Sequence, residues 1–395
     1  MRNSPCGNDG MKLLYVSDST FPSTAANAIQ IRAMTAAFAR AGHIVDVTGI
    51  RAQGRSTQSA VADPPAVRWH LLHWPLHRFR VGLLALYSRL LAMRVKPQLV
   101  YTRSARLAEW MAGTSVPVVL ELHALPDTDS RAEKALGRIL CNPGLARVVC
   151  ISHSLAEDLR RAFPLQHTNL EIVVAHDGAD PGPPPVPPSR PNASFTVGYF
   201  GHLYPGKGME LIGRLAPLLP DVQFAVYGGT ASDLARWRGQ LLPLNIKLHG
   251  YVPHSQVRCL MEQCDVLIAP YGYKVSHVAG GDIGRWMSPL KLFEYMSAGR
   301  PILASDLPVI REVLTDGETA MLCDPGDLVN WREALQRLEA QHELRERLSK
   351  SARRTLVENY TWDARVMSVL PTLPYPRHPP IVQDSTPATG NQPCT

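Results

Sequence analysis

The chain of 395 residues has no stretch approaching the roughly eighteen uninterrupted apolar residues that a membrane-spanning helix needs, so no span is expected. Its opening residues, MRNSPCGNDGMKLLYVSDS, carry one arginine and no long apolar run ending in a small-residue cleavage site, and no secretory leader is expected from them. Cysteine is sparse, at seven, an odd number, with no Cys-x-x-Cys pair, and Cys259 and Cys264 lack the spacing of a zinc-ligand pair. No metal site is indicated. Cys150, Cys259 and Cys323 lie in or beside apolar runs and read as small core residues in a reducing cytosol. No Gly-x-Gly-x-x-Gly follows the first apolar strand, which argues against a nicotinamide oxidoreductase. Acidic residues are outnumbered 34 to 41 by lysine and arginine, for a net charge of +7. That excess favours anionic partners, whether nucleotides, lipid headgroups or nucleic acid, and nucleic acid has nothing but the charge behind it.

What is present is an apolar fraction of 45%, typical of a globular protein, arranged as strand, loop and amphipathic helix in repetition. That order predicts parallel sheets covered by helices. In the first half, strands are expected at Lys12–Ser17, Ile44–Val47, Leu99–Tyr101, Val118–Leu122, Arg147–Ile151 and Ile172–Ala175. A helix over Ala28–Ala41 carries Ile31, Met34 and Phe38 at helical spacing, with Asn27 as its cap, Gln30 three residues on and Gly42 as terminator. The second half repeats the alternation at Thr196–Phe200, Met209–Leu219, Val222–Tyr227, Ile246–Leu248, Val266–Ala269, Pro301–Ala304 and Ala320–Cys323, with helices near Leu328–Ala340, His342–Asn359 and Ala364–Leu370. Between the halves runs PGPPPVPPSRP, which lacks the N–H groups for a ladder or a helix and forms a stiff connector. The chain therefore divides into a flexible start at 1–10, an α/β domain at 11–180, a Pro-rich linker at 181–194, a second α/β domain at 195–358, a helix at 359–371 returning to the first domain, and a disordered tail at 372–395. In doubly wound domains ligands sit beyond the C-terminal ends of the strands, so the main site belongs between the two domains.

Ser288–Gly299, SPLKLFEYMSAG, carries the most chemistry. Ser288 reads as a helix cap, Pro289 as the first helical residue and Gly299 as the terminator. Leu290 and Lys291 then fall in the first turn, where the helix dipole disfavours a positive charge. The mismatch is resolved if an anion sits at this helix end and is bound by free N–H groups and the lysine together. Glu294, one turn on, can accept two hydroxyl hydrogens, as from a ribose diol. The plain alternative is a surface Lys291–Glu294 pair. A second stretch, GHLYPGKG at Gly201–Gly208, follows a strand directly. Its glycines, Gly206 among them, allow close backbone approach, and Lys207 offers a cation to a diphosphate. It does not have the Walker order, and alone it reads equally as a turn with a solvated lysine.

Taken together, VGYFGHLYPGKGMELI, YGG at Tyr227–Gly229, HGYVP at His249–Pro253 and SPLKLFEYMSAGRPILASDLPVIREVL resemble the retaining glycosyltransferases of family four, which have the GT-B fold of two Rossmann-like doubly wound α/β domains facing across a cleft. ARAGHIVDV, CISHSLAEDL and VVAHDGAD are similar to N-terminal and domain-closing segments of that family. The resemblance covers Met11 to Leu370 and is strongest over Val197–Asp324. It implies transfer of a hexose-type sugar from a nucleoside-diphosphate sugar, as co-substrate with no separate cofactor and no metal, to an acceptor hydroxyl with retention of configuration. Lys207, Lys291 and the helix amides would stabilise the departing diphosphate, with Ser288, Pro289, Leu290, His202, Gly206 and Gly228 around it. Glu294 would hold the ribose, and main-chain groups at Gly250, Tyr251 and Val252 would read the base. ELHALP resembles the Glu-x-His stretch whose histidine faces the donor sugar, which assigns His123 that place; read alone, it is a polar residue at a strand end. Closure of the domains would exclude water, which competes as acceptor.

The sequence also departs from the family. The first glutamate of its Glu-x7-Glu motif falls at Trp286, and His202 stands in place of an arginine. Lys274, Asp282 and Arg285, in the polar stretch Tyr271–Met287, are candidates to take over donor contacts, or else belong to a solvated lid. The glycine pair expected after the first strand is replaced by Ser23-Thr24-Ala25-Ala26-Asn27, whose small residues still let a diphosphate approach a helix start. Arg68–Lys96 mixes basic residues with Trp69, Trp74, Phe79 and leucines. It suits either peripheral contact with an anionic membrane, with a glycan or lipid-linked acceptor on the cytoplasmic face, or a buried helix with a basic rim. Two other activities remain open at this level. One is a nucleotide-sugar epimerase using Glu121 and Asp18 as acid and base; the other is a non-catalytic glycan-binding relative.

Overall fold

The computed structural model describes residues 10–23, 25–52, 63–73, 79–166, 168–185, 194–276 and 282–371. Residues 1–9, the tail at 372–395 and most of the Pro-rich linker lie outside the described residues.

The first half runs β1 (Lys12–Phe21), α1 (Ala26–Arg40), β2 (Ile44–Arg51), β3 (Val67–Leu72), α2 (Arg80–Val95), β4 (Leu99–Thr102), α3 (Ala105–Ala112), β5 (Val118–Leu122), α4 (Arg131–Leu140), β6 (Leu145–Cys150), α5 (His153–Ala162) and β7 (Glu171–Val174). Its strands form one parallel sheet in the order β3-β2-β1-β4-β5-β6-β7. The second half runs β8 (Thr196–Phe200), α6 (Met209–Leu215), β9 (Gln223–Tyr227), α7 (Ala231–Arg238), β10 (Ile246–Gly250), α8 (His254–Glu262), β11 (Val266–Ala269), α9 (Leu290–Ala298), β12 (Ile302–Ser305), α10 (Pro308–Arg311), β13 (Met321–Cys323), α11 (Leu328–Ala340), α12 (His342–Asn359) and α13 (Trp362–Val369). Its parallel sheet has the order β10-β9-β8-β11-β12-β13. The direction of winding reverses between β1 and β4 in one sheet and between β8 and β11 in the other. Those switch points open a crevice at the C-terminal ends of the strands.

Both faces of each sheet are buried, because the alternation within a strand sends neighbouring side chains to opposite cores. Leu14, Val16, Val100 and Leu120 pack under α2 to α5, while Leu13, Tyr15, Val45 and Tyr101 pack under α1 and, from the far end of the chain, Trp362, Val366 and Val369 of α13. The last helix therefore belongs to the first sheet. Its start is fixed by Thr361, whose side chain accepts the Ala364 N–H.

The halves are stitched together by polar contacts. The Glu312 carboxylate sits on the N-terminus of α5 and accepts N–H bonds from His153 at 2.7 Å and Ser154 at 3.1 Å, the placement that a helix dipole favours. Asp158 of α5 accepts from Arg285 at 2.7 Å and from the Trp286 indole at 2.8 Å. The described start of the linker is held by two arginines. Arg258 and Arg353 donate to the carbonyls of Pro181 and Pro183, which a prolyl stretch leaves without ladder partners.

Several local expectations are corrected. Asn27 is not the cap of α1: Ala25 holds the extended cap conformation, and the Asn27 amide, inside the first turn, donates to Ser19 at 3.0 Å. Ser288 does not cap α9 and Pro289 is not its first helical residue. Pro289 is still extended, the helix starts at Leu290, and the Ser288 hydroxyl accepts the Asp177 N–H at 2.9 Å instead. The helix from Met209 ends at Leu215 and tightens into a 3-10 turn over Ala216–Leu218, because Pro217 cannot donate to the α ladder. Cys259 lies on the exposed side of α8, and Cys264 is the buried one. The segment Arg68–Lys96 is not one helix: it supplies β3 and α2, with Trp74 outside the described residues.

Candidate functional site

At the second switch point three loops cross with glycine backbone against backbone. The Gly201 N–H donates to the Tyr227 carbonyl at 3.0 Å and the Gly228 N–H to the Gly250 carbonyl at 2.7 Å. Gly228 has φ 115°, and a Cβ there would stand 2.1 Å from the Gly201 oxygen. Gly206, at φ 75°, lies so close to the 270–276 loop that a Cβ would meet the Lys274 oxygen at 1.9 Å. Only glycine fits either position.

Beneath this crossing lie two amines. α9 is buried along most of its surface and is tied to β8 by the Tyr295 hydroxyl, which accepts the Phe200 N–H at 2.9 Å. That anchor fixes Lys291, one residue into the helix, under Gly201, where an added Cβ would be 3.0 Å from Nζ. Lys291 Nζ is buried without a hydrogen bond, 4.1 Å from the Tyr199 ring centre and 4.8 Å from that of Tyr271. Lys207 reaches the same Tyr271 ring at 5.6 Å. Burial, and then the neighbouring Lys207, hold the Lys291 amine well below the usual lysine range, and burial brings Lys207 down to about 8. Two lysine amines converge on one ring beside a helix start, the arrangement that a multiply charged anion would suit.

Glu294, one turn along α9, accepts from His254 Nε2 at 2.9 Å, and this bond raises the imidazole's pKa. It is therefore not the partner of Lys291 in a surface pair. His202 is exposed and stacks on Tyr204, with ring centres 4.9 Å apart. Partial burial, then Lys207 and Lys291, lower its pKa and so favour the neutral ring. Tyr251 is 61% exposed, and it follows directly on Gly250, whose carbonyl accepts the Gly228 N–H. Tyr227 is stacked between Phe200 and His249, at 4.6 and 4.4 Å, and stiffens the strand ends behind the loops.

In the first sheet, His123 follows β5 directly. Its Nε2 bonds Glu121, whose carboxylate is fully buried. Glu121 Oε1 also accepts from Gln30 at 2.8 Å, and Oε2 accepts from the Tyr101 hydroxyl and from Arg365 at 2.9 Å. All four lone-pair directions are thereby used. Burial would push this carboxyl up, but Arg365, the His123 bond and Arg103 outweigh it and hold it well below the usual range. A carboxylate so fully engaged cannot serve as the acid or base of an epimerase. The two halves of the site are joined through Asp177: it faces His123 electrostatically, and its N–H reaches Ser288 just ahead of α9.

The structure thus gathers Lys207, Lys291, Glu294, His202, Gly206 and Gly228 at one switch point, and sets His123 on the opposing sheet. Asn27 lies by Ser19 at the first switch point. Asp282 and Arg285 have other partners in the structure. Asp282 accepts the Val275 and Gly284 N–H groups and so folds its own loop, and Arg285 is committed to Asp158. Lys274 contributes its carbonyl, packed on Gly206. Trp286 is turned away to bridge the halves through Asp158, with its side chain against the first domain's core. Sequence reasoning missed His254 and Arg365, since nothing local in either stretch signals a partner forty or more residues away. Among the described residues no group of His, Cys, Asp and Glu side chains is placed to hold a metal ion.

Residues 28–181 match the family described as Glycosyltransferase Family 4, and residues 194–341 match Glycosyl transferases group 1. The chain belongs to the family 4, group 1 glycosyltransferases. The phosphatidyl-myo-inositol mannosyltransferase of Mycobacterium leprae is 28% identical over 234 residues, 56% of this chain and 59% of that protein. The match thus spans a little over half the length of that curated relative. Among solved structures, sucrose-phosphate synthase from Thermosynechococcus elongatus superposes with a TM-score of 0.70 at 16% identity, over 91% of this chain and 96% of that one. Anabaena HepE in complex with UDP gives 0.69 at 14% identity, over 90% and 98%. At such identities these structures establish the shared GT-B fold of two parallel-sheet domains.

Proposed function

We propose that this glycosyltransferase moves a sugar from a nucleoside-diphosphate sugar to an acceptor hydroxyl with retention of anomeric configuration. The observation that carries the reading is Lys291 Nζ, buried and without a hydrogen bond beneath the glycine crossing, with Lys207 on the same Tyr271 ring. As the glycosidic bond breaks, charge grows on the departing diphosphate, and fixed cations in a water-poor site stabilise that charge more than they stabilise the ground state. Lys207 and Lys291 supply that stabilisation with no resident metal. Glu294 accepts the ribose hydroxyls, displacing His254, and the backbone at Gly250–Val252 reads the base. His123 meets the sugar from the opposing domain.

The complex of HepE with UDP supports a nucleotide ligand for this chain, and the activity named for the mannosyltransferase relative supports a lipid-linked or glycan acceptor. No helix among the described residues is long and apolar enough to cross a membrane. Phe79, Leu86, Leu90 and Met93 stand exposed along α2, among Arg80, Arg89, Arg94 and Lys96. That face suits peripheral contact with the anionic inner leaflet, on the cytoplasmic side, where a lipid-linked acceptor would be met.

The test is a thermal-shift panel of UDP, GDP, ADP and their sugars, followed by an assay for nucleoside diphosphate released with sugar transferred and by the anomeric configuration of the product. Stabilisation by one nucleotide, lost in Glu294→Ala, is expected. A folded protein that no nucleotide stabilises would refute the reading, and an inverted product would refute retention alone.

A further inference from the structure

The first domain's site residue is built on a charge that arrives from the other end of the chain. Arg365, on α13, is 3% exposed. Its Nε donates to the His176 carbonyl at 2.8 Å and its Nη2 to that of Ala175 at 3.2 Å, which locks the guanidinium against the end of β7. The remaining nitrogen, Nη1, reaches Glu121 Oε2 at 2.9 Å. Glu121 Oε1 in turn meets His123 Nε2. Gln30 is oriented from its other side, because its own oxygen accepts from Arg103 at 3.0 Å while its amide donates to Glu121.

This network leaves one arrangement of protons. An ionised carboxylate only accepts, so the imidazole nitrogen that touches it must carry a hydrogen. His123 is held as the Nε2–H tautomer, and Nδ1 is left as the ring's acceptor; among the described residues no hydrogen bond reaches it. The side chain is 25% exposed, so that acceptor is available to a ligand. Burial and the Arg103 charge both favour the neutral ring, against the opposing pull of Glu121 and Asp177.

We infer that Arg365 is a positioning residue for His123, acting through Glu121: it keeps the buried carboxylate ionised, and so fixes the tautomer that presents Nδ1 to a hydroxyl of the sugar or the acceptor. The inference rests on the proposed place of His123 in transfer. It makes α13 part of the site although the helix touches no substrate, and it explains why an arginine rather than an apolar residue occupies a sheet-facing position of that helix between Trp362 and Val366.

The test uses the full chain labelled with 15N-histidine, with the His123 ring signals assigned by their loss in His123→Gln. Arg365→Met alone strands a buried carboxylate and risks the fold. The informative protein is therefore the charge-neutral double variant Arg365→Met/Glu121→Gln, checked for folding by circular dichroism and for an unchanged affinity for UDP. In the wild type His123 shows a protonated Nε2 and an unprotonated Nδ1. In the double variant the amide introduced at position 121 can donate, and the ring shifts to the other tautomer or to a mixture. Turnover of whichever UDP-, GDP- or ADP-sugar the enzyme uses falls about 10- to 100-fold in kcat, the scale carried by outer partners that orient a histidine, with little change in KM. A folded double variant that keeps the wild-type tautomer and rate, while His123→Gln is inactive, overturns the inference and leaves the function standing. Normal turnover in His123→Gln overturns the role of His123 itself.

Discussion

Lys291→Met separates a binding lysine from a structural one by the sign of two effects. The wild-type Nζ is buried without a hydrogen bond, and an unsatisfied buried polar group costs about 1–3 kcal/mol. Its contacts with the Tyr199 and Tyr271 rings, at 4.1 and 4.8 Å, return about 0.5–2 kcal/mol as cation–π attraction. Methionine has similar length and recovers about 0.3–1.5 kcal/mol from sulfur–aromatic contact with the same rings. The ligand-free variant is therefore expected to be more stable than wild type by about 1 kcal/mol, a rise of roughly 2–4 °C for a domain of this size. Binding moves the other way. Losing a charge-assisted hydrogen bond to phosphate removes about 1.5–3 kcal/mol, so affinity for UDP, or for the nucleotide that the panel identifies, drops about 10- to 150-fold. Urea melts with and without nucleotide give both quantities on one sample. A variant that is less stable without ligand, and binds nucleotide as wild type does, would refute the reasoning: Lys291 would then be a packing residue that the rings have already satisfied.

Further outcomes follow from the same geometry. With the Lys207 pKa brought to about 8 from 10.5, the unfolded chain binds more protons between those values, so ligand-free stability rises with pH across that window. Diphosphate affinity falls over the same range, as the amine loses its proton, and Lys207→Arg flattens that slope in titration calorimetry. Gly228→Ala puts a Cβ 2.1 Å from the Gly201 oxygen at φ 115°; a cost of about 1–3 kcal/mol from strain alone and loss of nucleotide binding are expected by thermal shift. Glu312→Ala uncovers the His153 and Ser154 N–H groups at the start of α5. Hydrogen exchange there should accelerate by about fivefold, as for loss of a cap worth about 1 kcal/mol, while nucleotide affinity holds.

The fold was legible because its signal is local. Apolar strands alternating with amphipathic helices need only a window of a dozen residues, and the second half repeats the rhythm of the first. Where local reading slipped, a tertiary contact had outbid a propensity. Asn27 and Ser288 are both good caps by residue type, yet each spends its side chain on a distant partner, Ser19 in one case and Asp177 in the other, and the helix start shifts by a residue or two. Cys259 sits in an apolar-looking run, but α8 turns it outward and buries Met261 instead.

The site divides along the same line. Lys291 could be singled out because it offends a local rule, a cation in a first helical turn, and the structure shows why the offence is tolerated: α9 is anchored through Tyr295, and the amine lies on aromatic faces. The residues that set His123 were invisible by the same logic. Arg365 obeys every helical preference, and Glu121 reads as one polar residue in a strand of valines and leucines; only when α13 is laid on the first sheet do the two become an ion pair, 244 residues apart. The departure at Trp286 follows. A glutamate there would face Asp158, a carboxylate already committed to Arg285, and like charges at that distance repel. A tryptophan donates to Asp158 instead and fills apolar space at the edge of the first domain's core. The position thus serves as a join between the domains, and if the proposed transfer holds, contacts to the sugar are expected from the other wall of the cleft, where His123 stands.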